Sequence, residues 1–304
     1  MNHEINNIKG FNDLSKFIIE KLNKAGYFVN DIPEDEVIYH YTNWKIAQNI
    51  LKNEYHIHSS TSMNDSTEQQ YTYNLFAKRM KVLFPENEYA AWLEDCNDNI
   101  KQDFLDYYIW SFSENGNNQA LFGNYTEKDD GVNLGFKANQ LFQDLCRDYA
   151  SDVNVKEGMK NKQTTVQFVK CIYDDKLKQE LISKIVYYFV QAYFLIRNGD
   201  QLGNEILVDC RRNTAFCSLL FKDASLYQEE ETRIIMVQSN INRVNLFSGV
   251  DKNRPYLEFP VNNYSNILDC VTLRSRSKLN INDVNEFLGA NGYDMCAINS
   301  ILQY

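Results

Sequence analysis

The sequence predicts an α+β protein built on a mostly antiparallel sheet, and three observations carry that prediction. Alternating runs near 37–41, 107–113, 132–136 and 230–237 read as strands. Apolar residues at three- and four-residue spacing over 11–25, 175–197 and 204–221 read as helices. The two kinds of segment are mixed without the regular strand-helix-strand alternation of a doubly wound sheet.

In chain order, Phe11, Leu14, Phe17, Ile18 and Leu22 form a leading amphipathic helix that stops at Gly26. Val37 to Tyr41 reads as a strand, with Thr42 placed to cap a helix through Ile46, Ile50 and Leu51. A second short strand covers 54–59, and Asp65 with Glu68 fits a capping box for a helix through Tyr71, Leu75 and Phe76. Tyr89, Trp92, Leu93 and Cys96 predict a helix over 87–104.

Tyr107 to Ser113 is a strand ended by the turn signal Glu114-Asn115-Gly116-Asn117-Asn118, and a short helix over 119–125 leads to the strand Val132 to Phe136. The charged stretch 151–163 reads as a mobile loop before a strand over 166–173. The two longest helices, 175–197 and 204–221, pack together as an insertion or cover. Strands at 230–237, 256–259 and 268–273, a helix at 281–288 and a last strand at 295–298 complete the chain. The expected organisation is a lead-in over 1–36 and one domain over 37–304, with a helical elaboration at about 175–222.

Composition narrows the function classes. Apolar residues make up 44% and charged ones 24% of 304, so the chain has what an ordinary core needs. A formal net charge of −10 opposes generic binding to nucleic acid or to an anionic membrane, while leaving room for a local basic pocket. The seven cysteines are odd in number and form no Cys-x-x-Cys pair, which reads as buried thiols in a reducing cytoplasm. The first residues lack a signal-peptide pattern, and the most apolar window, Ile182 to Ile196, is interrupted by Lys184 and Gln191. Both features lead to the expectation of a soluble, cytoplasmic protein with no membrane partner.

Candidate chemistry collects where short strands end. His40 ends one face of its strand beside Tyr41 and Thr42, either as a satisfied core histidine or as a hydrogen-bond donor to a ligand hydroxyl. Ser59 and Asn64 flank the next helix start, where free amides suit a phosphate or ribose unless the capping residues occupy them. Ser111 and Ser113 share one face of an aromatic strand, suited to a polar cavity or to cross-strand pairing.

Glu229, Glu231 and Arg233 share a face at the start of a buried strand. They form either a structural ion pair or a carboxylate able to stabilise an oxocarbenium-like centre. His56 and His58 share a strand face without the spacing that completes a metal site, and no metal is predicted. Arg274, Arg276 and Lys278 are phosphate contacts or a solvated loop. No dinucleotide-binding glycine fingerprint, Walker A loop, nucleophile elbow or zincin helix is present.

The ordered set Tyr39-His40-Tyr41-Thr42, Ile50-Leu51, Ser59-Ser60, Asn64-Asp65 with Glu68, Trp110-Ser111-Phe112-Ser113-Glu114, Gly131 to Phe136 and Glu229-x-Glu231-x-Arg233-Ile234 resembles the bacterial domain of unknown function family 2971. The likeness runs from about residue 37 to Ala297-Ile298-Asn299-Ser300. More loosely, the order of histidine strand, hydroxyl-bearing strand and late E-x-E strand is similar to ADP-ribosyltransferases of the histidine-tyrosine-glutamate kind. That likeness implies a split-sheet cleft binding NAD without a Rossmann motif, with His40 and Thr42 near a ribose.

It also implies an aromatic such as Tyr41 stacked on nicotinamide, Glu231 on the nicotinamide ribose and Glu229 orienting a macromolecular acceptor. The chain has Ser111 and Ser113 where the family tyrosine is expected, with Tyr125 a distant substitute. The resulting expectation is an NAD-dependent ADP-ribosyltransferase-like transferase or NAD glycohydrolase, of the kind used as a bacterial toxin or antiviral-defence effector. A non-catalytic nucleotide- or protein-binding module stands beside it. A metal-dependent nuclease built from Asp65, Glu68, Glu229 and Glu231 is the third reading.

Overall fold

The structure is a computed structural model that describes residues 13–29, 31–52, 56–60, 66–84, 86, 89, 92, 107–126, 129–146, 163–239, 248–251, 254–258 and 264–302. In chain order its elements begin with α1 (Asp13–Lys24), β1 (Val37–Asn43), α2 (Trp44–Leu51), β2 (His56–His58), α3 (Ser66–Leu83) and β3 (Tyr107–Ser113). Next come α4 (Gln119–Asn124), β4 (Gly131–Lys137), α5 (Ala138–Leu145), β5 (Gln163–Lys170), α6 (Asp175–Arg197), α7 (Leu202–Ser218) and β6 (Glu231–Ser239). The last are β7 (Ser248–Asp251), β8 (Arg254–Glu258), α8 (Tyr264–Ile267), β9 (Leu268–Leu273), α9 (Ile281–Ala290) and β10 (Ile298–Asn299). The chain is α+β. The expected helix over 87–104 and loop over 151–163 lie almost wholly outside the described residues.

Two compact units share the chain. One comprises Met1–Phe28, Ser60–Asp106 and Cys171–Tyr227, the other Val29–Ser59, Tyr107–Lys170 and Gln228–Tyr304. The first is helical. Its leading helix α1 buries Leu14, Ile18 and Leu22, the stripe that the apolar spacing predicts. Gly26 follows it with a φ of 76°, a conformation that favours glycine and ends the helix. Ser15 Oγ donates to Asp209 Oδ1 at 2.6 Å and accepts from Asn213 Nδ2 at 2.8 Å, which ties α1 to α7. Leu181, Ile182, Ile185 and Phe189 of α6 are fully buried, each contributing roughly 1.5–3 kcal/mol of apolar stabilisation.

The second unit holds a seven-stranded sheet in the order β10-β9-β4-β1-β3-β6-β5, antiparallel at every pairing but β10 with β9. A separate three-stranded sheet runs β2-β8-β7. One face of the large sheet carries Ile38, Trp110, Phe112, Leu134, Phe136, Phe168 and Ile234 into a single core, covered by Ala47 and Ile50 of α2, Leu141 and Leu145 of α5, and Val284 and Leu288 of α9. Trp110, Phe112 and Phe136 meet at centroid distances of 4.6–6.0 Å, so the aromatic wealth of the sequence is spent here on packing.

Several boundaries differ from expectation, each for a local reason. Thr42 does not cap α2; it is buried inside β1, paired with Val132, and Asn43 caps the helix by accepting from Ile46 N at 2.9 Å. Helix α5 was not expected, because its N-cap position is Lys137, which makes no side-chain cap and so leaves no start signal. The last strand falls at 298–299, where it pairs in parallel with Thr272 and Leu273. Strand β7 is also additional, formed by Ser248–Asp251 against β8.

Among the described cysteines, all are free; Cys171, Cys210 and Cys217 are buried as expected, whereas Cys296 is exposed. No helix among the described residues is long and apolar enough to cross a membrane.

Candidate functional site

Residues directly opposite one another in antiparallel strands project to the same face, so the register assigns every candidate a side. Tyr39 lies opposite Ser113, and Ser113 opposite Glu231. Ser111 lies opposite Arg233. Tyr41 lies opposite Asn133, and Tyr39 opposite Gly135. Tyr39, Tyr41, Ser111, Ser113, Glu231, Arg233 and Asn133 therefore share one face, which is polar. His40 sits one residue out of phase, opposite Leu134, on the apolar face.

This register departs from the arrangement that the looser resemblance implies, because His40 and Glu231 are on opposite faces of the sheet. The His40 ring packs edge-on against Trp110 and Phe112 at 5.7 and 5.9 Å, and Nδ1 lies 3.0 Å from Ser111 O. That carbonyl can only accept, so Nδ1 carries the proton. The residue is half-buried, and desolvation lowers its pKa from 6.5 to about 4 against the opposing pull of the Ser111 carbonyl. His40 is thus a neutral histidine linking β1 to β3. Thr42 shares its side of the strand and is also buried.

On the polar face, Glu231 and Arg233 form a two-pronged ion pair. Arg233 Nε donates to Glu231 Oε1 at 2.6 Å and Nη2 to Oε2 at 3.1 Å, with Arg233 1% and Glu231 8% exposed. Two buried charges two residues apart are mutually neutralised by this fork. Tyr41 is equally committed. Its hydroxyl donates to Asn115 O at 2.6 Å and accepts from Asn118 N at 2.9 Å, while its ring meets Phe122 edge-on at 4.8 Å. Its place is in the packing beneath α4, with its hydroxyl holding the 115–118 turn, and the stacking role expected from the resemblance does not suit it.

Ser113 organises the end of the site. Its hydroxyl donates to Glu229 O at 2.7 Å and accepts from Asn115 N at 3.1 Å. Asn118, the cap of α4, accepts from Ala120 N and Leu121 N and donates to Gln228 O. These bonds bring the 114–118 turn against the Gln228-Glu229 approach to β6. Glu230 between the two buried carboxylates has a φ of 44°, a left-handed backbone whose carbonyl accepts from Glu114 N at 3.0 Å. Glu229 ends 3% exposed, and Tyr125 OH lies 3.4 Å from its Oε1. Tyr125 itself is 50% exposed.

Tyr125 thus joins the E-x-E segment although only distant in sequence. Its signal was position just after a short helix; no local pattern links it to Glu229. Tyr39 completes the surface, lying so close to Gly116 that a Cβ there would come within 2.5 Å of its ring. Asn133 is fully buried on the same face, with Nδ2 donating to Gly116 O and Oδ1 lacking a partner.

The remaining candidates lie elsewhere. Ser59 is fully buried and bridges to Tyr108, while Asn64 and Asp65 lie outside the described residues. Glu68 belongs to the helical unit, where it pairs with Lys222 at 3.1 Å. Lys278 pairs with Asp129 at 2.7 Å. Among the described residues, no group of three or more histidine, cysteine or carboxylate side chains comes together as a metal site. Compared with family models, curated proteins and solved structures, the chain matches none.

Proposed function

We propose that the protein binds NAD or a closely related nucleotide at the Tyr125–Glu229 end of the polar sheet face, and that it hydrolyses the nicotinamide-ribose bond there. The observation that carries this reading is a buried carboxylate beside a half-exposed aromatic ring. The ring offers a surface on which a planar base can stack. The carboxylate offers negative charge to a ribose carbon that becomes positive as its glycosidic bond breaks.

Glu229 is the proposed catalytic residue, while Glu231 stays in its fork with Arg233. In the hydrolysis, nicotinamide leaves with the bonding electron pair, a water oxygen bonds the ribose carbon, and the water releases one proton. A macromolecular hydroxyl or amine in place of water makes the same reaction a transfer. His40 takes no part, since its face carries the core.

The test is nicotinamide release from NAD by wild type, Glu229→Gln and His40→Asn, each verified as folded by its melting profile. Loss of about 100-fold or more in Glu229→Gln, with His40→Asn active, supports the reading. Intact NAD after long incubation with the wild type sinks the hydrolase.

The second reading is a non-catalytic nucleotide-binding module. The Glu231–Arg233 fork favours it, because the carboxylate expected to work on ribose is already engaged. Calorimetric binding of NAD with no turnover distinguishes it.

A further inference from the structure

The segment that follows β10 reaches back to the turn on which the site is built. Ser300 N donates to Leu273 O at 2.8 Å, which extends the two-residue strand by one bond. Its hydroxyl donates to Asn117 Oδ1 at 2.6 Å and accepts from Leu302 N at 3.2 Å. Leu302 packs against the small cluster of Tyr41, Leu121 and Phe122, with Tyr39 also against it. Residues 300–302 therefore hold the 114–118 turn by a hydrogen bond and α4 by an apolar contact.

Asn117 passes that hold on. Its own N donates to Asn115 Oδ1 at 3.0 Å, so its side chain is gripped by Ser300 while its backbone closes the turn. The neighbouring Asn118 donates to Gln228 O, Ser113 Oγ to Glu229 O and Glu114 N to Glu230 O. Three successive carbonyls of the approach to β6 thus hang on this turn.

The attachment of 300–302 is slight by comparison. Only Ile298 and Asn299 are paired in β10, Ile298 is 55% and Ile301 86% exposed, and the cluster that receives Leu302 is separate from the main core. A segment with so few backbone bonds and so little buried apolar surface opens at a fraction of the free energy that unfolds the sheet.

We propose that residues 300–302 are a clasp on the 114–118 turn, with Ser300 as a positioning residue for Glu229. Closed, the clasp fixes the backbone that carries Glu229; open, it loosens that backbone while the sheet stays folded. Its effect on turnover rests on the NAD reading, and its effect on the turn does not.

The experiment is amide hydrogen exchange of the full chain, with nicotinamide release measured alongside, for wild type, Ser300→Ala, Ser300→Thr, Leu302→Ser and Ile301→Ser. In Ser300→Ala and Leu302→Ser the 113–121 stretch, which holds the amides of Glu114, Asn115 and Asn118, exchanges about five to ten times faster, with β4 unchanged. Ser300→Thr keeps the hydroxyl and the protection, and Ile301→Ser, altered at an exposed side chain, behaves as wild type. The kcat for nicotinamide release falls where protection is lost, with KM little changed, and is restored by threonine. Unchanged exchange in both Ser300→Ala and Leu302→Ser, or an equal rise in β4, overturns the clasp. Faster exchange with undiminished kcat overturns its control of Glu229. A wild type that leaves NAD intact sinks the NAD reading, and the exchange then decides the clasp by itself.

Discussion

Acid should weaken this fold through His40 in a way that one substitution removes. The folded imidazole titrates near 4 and an unfolded histidine near 6.5, so the unfolded chain takes up the proton first as pH falls. The stabilisation is fully present above pH 6.5 and is lost as pH falls towards 4. At pH 5 an unfolded histidine is almost wholly protonated and the folded one almost wholly neutral, a difference of about 2 kcal/mol, rising to about 3 kcal/mol below pH 4.

The assay is urea unfolding of wild type and His40→Asn between pH 7.5 and 4.5. Asparagine places an amide donor near Nδ1 and does not titrate, and the carboxylates common to both proteins cancel in the difference. The wild type should lose about 2 kcal/mol more than the variant on going from pH 7.5 to 5. Parallel profiles refute the buried neutral imidazole. A wild type that gains on the variant as pH falls refutes it more sharply, since a histidine facing the Glu231 carboxylate would have a raised pKa and be stabilising when protonated.

Other outcomes follow from the same geometry. Glu231→Gln leaves the buried Arg233 charge without its fork partner and should cost about 3–5 kcal/mol in urea unfolding, whereas the pair replaced together by leucine and methionine should be close to neutral. This is why Glu229 is the cleaner probe of catalysis. Tyr41→Phe removes the bridge between Asn115 O and Asn118 N and should destabilise by about 1–3 kcal/mol, read as a lowered melting temperature. Asn43→Ala should cost about 1 kcal/mol as loss of the α2 cap; an unchanged stability would dismiss that role. Gly116→Ala drives a Cβ into the Tyr39 ring and should destabilise by about 1–3 kcal/mol, with Tyr39→Leu in the same chain recovering part of the loss.

Much of the fold is legible in local pattern. Tyr107 to Ser113 alternates cleanly and is strand β3 with the expected limits, because one face meets a core and the other does not. The long helices α6 and α7 announce themselves by length and periodic apolar residues. Helix α5 went unseen because α-helical hydrogen bonding does not require a cap, and Lys137 supplies none. Thr42 and Asn43 are both competent caps, and the choice fell to the strand, which runs one residue past Thr42 along β4.

The candidate site divides along the same line. Residue spacing was sufficient to place Glu231 and Arg233 on one face and to put His40 and Tyr41 on opposite faces, since both are properties of an extended backbone over a few residues, whereas Glu229 ends a 3-10 turn and the positive φ of Glu230 takes it off the strand's alternation. Spacing also offered the ion pair between Glu231 and Arg233 that the fold contains. Which face of β1 meets which face of β6 is settled by the register of β3 between them, and that register depends on pairings such as Tyr39 with Ser113 and Ser113 with Glu231, which are 74 and 118 positions apart. That long-range pairing turns His40 to the apolar face, and other contacts between distant segments bring Tyr125 to Glu229 and, within the helical unit, Lys178 to Tyr71. No local periodicity encodes such meetings, because each needs side chains from distant segments to find the same few ångströms.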